Sequence, residues 1–496
     1  MVDMPEAVVV GKRSRRKTVI AAALVAAWLS WLALFICLAG HDSIWFDELF
    51  SIAQSRLPLP ELLRKACSDI HPPLYPLMLK FFLYVFGDSW WNARLFSVVI
   101  VSLTAAIMIG AARDRRTGAG AAASFLMLPA VGFCTLDIRM YGLAMLFAAM
   151  FIVCVGRLID GARRGPIWFC GLGVAAWGSA MTLNYAVPYL FVPAVWLTVS
   201  LWRSGRRRDC AVAVAVLAAA VVAYLPWLPY AWGQLTRVRA DFWAPPLTLK
   251  SCILIFDMPF MGYSLNFLST LILVAAVSAL LIPALVAAFR SDRERFSRML
   301  CLAATALLPG LLGVSWSLVR GQTLIIDRAM LPACVPLALM IGEAFAMPSR
   351  HRWSKVASAA VMALFFAYHC GCIVYRTRDG GLTRLRECLL KDYDGVILYY
   401  TEAHGAASAA GAVPERRHIV IHQEADPMGM LIIGNVDVEK QPTAQGGARV
   451  FILGSDSSPE AFRRSVSGVG ELRVERSFYS RYRFQRFDIC REVVTP

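Results

Sequence analysis

Apolar residues in this chain come in runs close to 20 long, broken by short stretches that hold most of the arginines. A helix rising 1.5 Å per residue needs about 20 residues to cross the hydrocarbon of a bilayer, so each run predicts a transmembrane helix. Backbone polar groups in lipid must be bonded within the span itself, which makes helices the expected element. The predicted spans are about residues 18–40, 93–112, 119–134, 140–159, 166–183, 186–202, 211–230, 264–289, 299–318, 329–347 and 356–375. Two segments behind the first span carry a different pattern. In 47–57, Leu49, Ile52, Ala53 and Leu57 share a face while Gln54 and Arg56 point elsewhere, which predicts a helix lying in the membrane plane. Residues 74–86 are apolar but too short to span, and Pro72 and Pro73 favour a helix start, so they predict a second surface helix. After Arg376 the long runs stop. Residues 393–400, 417–422, 450–454 and 482–488 read as strands, and 458–465 as a helix with Pro459 in its first turn. The prediction is an all-α polytopic membrane protein of about eleven transmembrane helices plus surface helices, with a C-terminal soluble α/β domain.

Composition agrees. The chain has 496 residues, 58% of them hydrophobic and 17% charged, against about 25% charged in a soluble protein. The net charge of +16 does not point to nucleic acid, because the basic residues cluster between spans and in the tail 1–17, as topology signals do. Lys12, Arg13, Arg15, Arg16 and Lys17 precede the first span without a small-residue cleavage site, so it reads as a retained anchor. Every second loop then repeats the pattern: Arg113, Arg115 and Arg116; Arg157, Arg163 and Arg164; Arg203, Arg206, Arg207 and Arg208; Arg290, Arg293, Arg295 and Arg298; Arg350, Arg352 and Lys355. Basic loops stay in the cytoplasm. The N-terminal tail is therefore expected inside, and the first loop (40–92) and the domain 377–496 outside, around a transmembrane domain 18–376. The localisation this implies is a multi-pass protein of the cell's inner membrane.

Several function classes lose support. There is no GxGxxG and no phosphate-binding loop. The 13 cysteines lie mostly within apolar runs, where Cys behaves as a small hydrophobe, and no CxxC pair occurs. Cys388 and Cys490 bracket the last domain and can pair if it faces an oxidising compartment. His404, His418 and His422 are a weak metal set; no cofactor is required, and a divalent metal is possible but not indicated.

Chemistry concentrates in the first loop. Asp47 and Glu48 follow Trp45 and Phe46 at the predicted membrane edge. The plain account is that acids favour a helix N-terminus. The functional account is that a carboxylate there takes a proton from an acceptor hydroxyl, while its neighbour, diverging by about 100° around the helix, orients acceptor or base. Asp69 and His71 precede Pro72, Pro73 and Tyr75 on the same loop, either as a loop end or as part of one pocket. Arg139 and Tyr141 lie in a Leu136–Tyr141 segment joining two spans on the same face. A snorkelling arginine explains Arg139 cheaply; a phosphate clamp explains it better, since the planar, permanently charged guanidinium suits phosphate, with Asp137 two residues earlier to hold it. Arg328, after Asp327, is a similar candidate, and Lys80 and Arg94 can also reach the outer headgroups. The loop 231–263, behind Leu225-Pro226-Trp227, is rich in aromatic residues and reads as a membrane belt or a lid.

The stretch Trp45-Phe46-Asp47-Glu48, followed some 20 residues later by Asp69-Ile70-His71-Pro72-Pro73-Leu74-Tyr75-Pro76-Leu77, resembles the first external loop of the polyprenyl- or dolichyl-phosphate-sugar-dependent glycosyltransferases of the GT-C fold. These include the protein O-mannosyltransferases and the lipid A aminoarabinose transferases. Arg139-Met140-Tyr141, Leu225-Pro226-Trp227 and the position of Arg328 are similar to bacterial members. After His71-Pro72-Pro73 the chain departs: Leu74-Tyr75 stands where the protein mannosyltransferases have Leu-Gly-Lys, which bears on whether the acceptor is a protein. The resemblance implies a GT-C-like membrane domain and an inverting transfer from a polyprenyl-phosphate sugar donor to a glycan, lipid or protein acceptor. It implies Asp47 as the base, Glu48, Asp69 and His71 shaping the acceptor and sugar pocket, and Arg139 and Arg328 neutralising the departing phosphate. Two other classes stay open. A lipid-linked-sugar transporter or flippase would place ionisable residues deep in several spans and often shows a repeat, and none is found. A glycan polymerase or ligase would carry its large external loop late in the chain.

Overall fold

The computed structural model describes residues 25–40, 44, 46–111, 114–161, 165–241, 248, 256, 259–260, 267–320, 327–347, 352–378, 381–393, 398–400, 417–421, 436–439, 450–453, 459–460, 471–480 and 485–493. The membrane part is helical, as the apolar runs require. α1 (Val25–Leu38) leads into a first loop that is itself built of helices: α2 (Phe46–Arg56), α3 (Leu59–Ser68) and α4 (Leu74–Phe86). α2 and α4 are helices where the sequence predicts them, but α2 is buried from Phe50 to Ser55, Gln54 included, so it packs within the protein instead of turning a polar face outward. α3 is additional. It buries only Leu62 and Ala66, too little apolar surface to stand out as a period, and Pro60 sits in its first turn, where a missing N–H costs nothing.

Among the described residues, seven helices are long and apolar enough to cross a membrane. They include α5 (Trp90–Ala111), α8 (Tyr141–Ile159) and α10 (Pro188–Arg203). An eighth span arises if α6 (Arg115–Met127) and α7 (Pro129–Thr135) are taken together, although they are bent by 70°. The expected count of eleven is therefore not reached among the described residues. α1 and the stretch Ala360–Gly371 are shorter apolar helices, and α9 (Gly165–Thr182) is not among the seven. The bend corrects the single span expected at 119–134, and Pro129 explains it: proline cannot donate to the carbonyl one turn back and its ring crowds that carbonyl. The break delivers residues 136–140 to the face that carries the first loop.

The most enclosed of these spans ends in the helix Cys334–Ala346, which packs on α6 through glycines. A Cβ at Gly342 would collide with the Thr117 carbonyl and lie 2.8 Å from the Ala121 methyl, and one at Gly120 would lie 2.9 Å from the Phe345 ring. Small residues let helix backbones approach in lipid, where packing rather than water expulsion holds helices together. Gly342→Val is expected to cost at least about 1–3 kcal/mol by overpacking, read as a lowered thermal midpoint in detergent. Glu343 on the same helix is buried and paired with Arg295 at 3.0 Å and Arg298 at 3.1 Å. The helix Arg293–Arg320 starts at that ion cluster and runs toward the turn bearing Arg328.

Beyond the helix Gly381–Asp392, the described residues form one sheet of six strands in the order β3-β2-β1-β4-β6-β5. They are β1 (Leu398–Tyr400), β2 (His418–Ile421), β3 (Val436–Glu439), β4 (Val450–Leu453), β5 (Glu471–Ser480) and β6 (Gln485–Val493). β3, β2, β1 and β4 run parallel, and β6 and β5 are antiparallel additions. β3 and β5 are absent from the predicted set because their polar residues dilute the alternation; β5 exposes most of its side chains at the sheet edge. Of the predicted helix 458–465 only residues 459–460 are described. The pairing of Cys388 with Cys490 is not formed: both thiols are free, Cys388 accepting from Arg476 at 3.2 Å. His418 is buried against the Tyr400 hydroxyl at 2.7 Å, while His404 and His422 lie outside the described residues. No group of metal-ligating side chains occurs among the described residues.

Candidate active site

The first turn of α2 carries two carboxylates that face different ways. Glu48 is fully buried. Arg94 on α5 meets it with a two-pronged bond, Nε to Oε1 at 3.2 Å and Nη2 to Oε2 at 3.0 Å. The Ile138 amide donates to Oε1 at 3.2 Å, and Arg94 donates to the Ala39 carbonyl at 3.2 Å. One ion pair thus joins the end of α1, the start of α2, α5 and the loop between α7 and α8.

Asp47 points into a more open space, with its side chain 20% exposed. Its Oδ2 accepts from Arg328 Nη1 at 3.1 Å, and Arg139 Nε lies 3.9 Å away. Arg139 also donates to the Asp47 carbonyl at 3.3 Å and to the Ser51 hydroxyl at 3.2 Å. Ser51 in turn donates to the same carbonyl at 2.8 Å. Three separate segments therefore converge: α2, the loop after the α7 break, and the 3-10 turn Asp327–Ala333. The loop is pinned by Ser97 on α5, whose hydroxyl donates to the Asp137 carbonyl at 2.8 Å.

The turn between α3 and α4 supplies Asp69 and His71. Each keeps part of its surface open, but protein encloses the remainder, and that enclosure governs their titration. Burial raises the Asp69 carboxyl, opposed by the Ile70 amide and by Arg139. Burial lowers His71 to about 3, helped by Arg139 and Arg328 and opposed by Asp47. His71 is thus neutral at physiological pH, a hydrogen-bonding group rather than a cation. The sign of the linkage follows. Below the ordinary pKa of 6.5 the unfolded chain binds a proton at this position that the folded chain refuses, so stability falls as pH falls from 6.5 toward about 3. His71→Gln is expected to flatten that part of the pH dependence, measured as thermal midpoint between pH 7 and pH 5 against the wild type.

Tyr75 on α4 is buried beside Ser97, and Tyr141 at the start of α8 lies in the field of Arg328, Arg139 and Asp47. Of the residues singled out in the sequence, Asp47, Asp69, His71, Arg139, Tyr141 and Arg328 form one electrostatic cluster, Tyr75 backs it, and Glu48 stands behind it with Arg94. Lys80 and Arg94 are not turned to headgroups. Lys80 caps α2 by donating to the Leu57 and Ser55 carbonyls at 2.8 and 3.2 Å. Most of the loop 231–263 lies outside the described residues, but the helix Leu228–Asp241, which opens it, sends Gln234 to the Ala66 carbonyl at 3.2 Å and to Asn184 at 3.1 Å. Ser51, Asn184, Gln234 and Tyr189 carry no motif or misplaced charge, so nothing in the sequence marks them.

A model of the family described as dolichyl-phosphate-mannose-protein mannosyltransferase matches residues 70–232, a stretch that holds His71, Tyr75, Arg139 and Tyr141 but not Asp47 or Arg328. No curated protein matches the chain. Two crystal structures of ArnT from Cupriavidus metallidurans do. The one bound to undecaprenyl phosphate is 14% identical, with a TM-score of 0.56, covering 96% of this chain and 99% of that one. The apo structure is 13% identical, with a TM-score of 0.58, covering 96% and 98%. Across nearly the whole chain, the fold is the GT-C fold that the first-loop motifs imply.

Proposed function

We propose that this protein is an inverting membrane glycosyltransferase that moves a sugar from a polyprenyl-phosphate donor to an envelope acceptor on the extracytoplasmic face. One observation carries the reading: a carboxylate within 4 Å of two arginines, on a surface assembled from loops rather than within the span core. The similar ArnT structure bound to undecaprenyl phosphate and the matched dolichyl-phosphate-mannose family support a lipid-phosphate chemistry of the same kind. Arg328 and Arg139 neutralise Asp47 when no anion is present. A phosphate competing for these guanidiniums, bidentate where the geometry permits, leaves Asp47 free to accept the proton of the attacking acceptor group. Phosphate is a good leaving group, so fixed positive charge at its oxygens suffices and no strong general acid is needed. Glu48 serves as a positioning residue for the helix that presents Asp47. Neutral His71, Asp69, Tyr75 and Tyr141 shape the sugar and acceptor side. The activated sugar arrives on lipid, which agrees with a chain that carries no nucleotide-binding motif.

Mass spectrometry of envelope glycans and lipids from cells with and without the protein identifies both substrates: loss of one sugar from one acceptor is the expected result. An unchanged envelope, together with movement of lipid-linked sugar across proteoliposomes and no new glycosidic bond, would instead assign the protein to transport.

A further inference from the structure

Tyr189, the second residue of α10, is buried to 1% exposure and lies outside the cluster of charged groups. Its hydroxyl donates to the Ala329 carbonyl at 3.1 Å, with Met330 Sδ 3.4 Å away. Ala329 directly follows Arg328 in the 3-10 turn Asp327–Ala333. In such a turn each carbonyl accepts from the residue three positions on. For Ala329 that residue is Pro332, which has no N–H to give. The turn therefore contains a carbonyl that its own sequence leaves without its regular donor, in a place where an unmade bond is expensive, and a tyrosine 140 residues away supplies the donor.

The same segment reaches the other side of the site. Tyr189 follows the short turn Asn184–Ala186. There, Asn184 donates to Gln234 at 3.1 Å and approaches the Ile70 carbonyl at 3.5 Å, next to Asp69 and His71. One stretch, 184–189, thus touches both the turn that carries Arg328 and the turn that carries His71.

We infer that Tyr189 is a positioning residue for Arg328, holding the guanidinium at the place where the lipid phosphate binds. The hydroxyl acts on the peptide beside Arg328 and touches neither donor nor acceptor. The inference rests on the phosphate role given to Arg328 above, and its test separates the two.

Full-length protein in lipid nanodiscs is titrated with undecaprenyl phosphate as the probe, comparing wild type, Tyr189→Phe, Arg328→Ala and the double variant. Tyr189→Phe keeps the ring and removes only the hydroxyl. It is expected to weaken binding by about 5–10-fold, the scale of one lost hydrogen bond. In the Arg328→Ala background the same change is expected to alter binding by less than about twofold, because coupled residues are not additive. Met330→Leu, which removes the sulfur but keeps the hydroxyl bond, is expected to bind as wild type does. Equal losses from Tyr189→Phe in both backgrounds would overturn the inference by showing general loosening. So would a Met330→Leu loss matching that of Tyr189→Phe, unaltered binding by Tyr189→Phe, or failure of that variant to fold. Wild-type protein that ignores the probe would sink the phosphate reading itself, and the inference with it.

Discussion

Asp47→Asn is expected to lower the transfer rate by about 10²–10⁴-fold, the contribution of a positioned general base, without unfolding the protein. The substitution keeps the shape of the side chain and an oxygen for the Arg328 bond, so the turn Asp327–Ala333 stays docked on α2. What it removes is the negative charge that, in the proposed mechanism, accepts a proton. It also removes the ion that competes with the donor for Arg328 and Arg139. Donor binding should therefore hold or tighten while kcat collapses, a split that simple damage to the site does not produce. The measurement is transfer from a polyprenyl-phosphate sugar to the acceptor in proteoliposomes, with donor affinity determined separately. Turnover within about tenfold of wild type, well below the contribution of a base, would remove Asp47 from that role and leave the cluster as an anion site only. Asp47→Glu separates charge from place: it keeps the carboxylate but moves it by one methylene, and an intermediate rate is expected, since a misplacement near 1 Å costs about 10²-fold.

The parts of this arrangement that could be read from the sequence are those with local periodicity or a charge out of place. α4 could be read because thirteen residues after two prolines, all but Lys80 apolar, are too short for a span and too apolar for water. Asp47, Arg139 and Arg328 stood out because a charge beside an apolar run needs a reason. Their meeting could not be read: the bond between Asp47 and Arg328 joins residues 281 apart, and no local pattern encodes that distance. The bend at Pro129 lies inside an unbroken apolar run, so hydropathy passes over it although the proline that causes it is visible. α3 and β5 were hidden because each buries little, and Tyr189 because a buried tyrosine in a span looks like any other. Charge marks the chemistry, in short, while the groups that aim it are ordinary residues whose work shows only in three dimensions.

Glu48 shows the same division within one dipeptide, and it sets the second large effect. With no exposed surface, its carboxylate is stabilised by Arg94 and the Ile138 amide, which face it. Arg94→Met leaves a charge in the interior without its partner and is expected to destabilise the fold by about 3–5 kcal/mol, visible as a sharply lower thermal midpoint and poor recovery from membranes. Replacing both members, Glu48→Leu with Arg94→Met, removes the stranded charge, and much of the stability should return, because an apolar pair of similar volume can substitute for a buried ion pair. Activity should not return with it. The pair also fixes the Ala39 carbonyl and the Ile138 amide, and through them the spacing of α1, α2 and the Arg139 loop. Without that registry Asp47 and Arg139 lose their common reference even in a folded protein. A double variant that recovers both stability and turnover would show the ion pair to be packing alone. One that recovers stability but not turnover would show that the acid beside the base serves to keep the base in place.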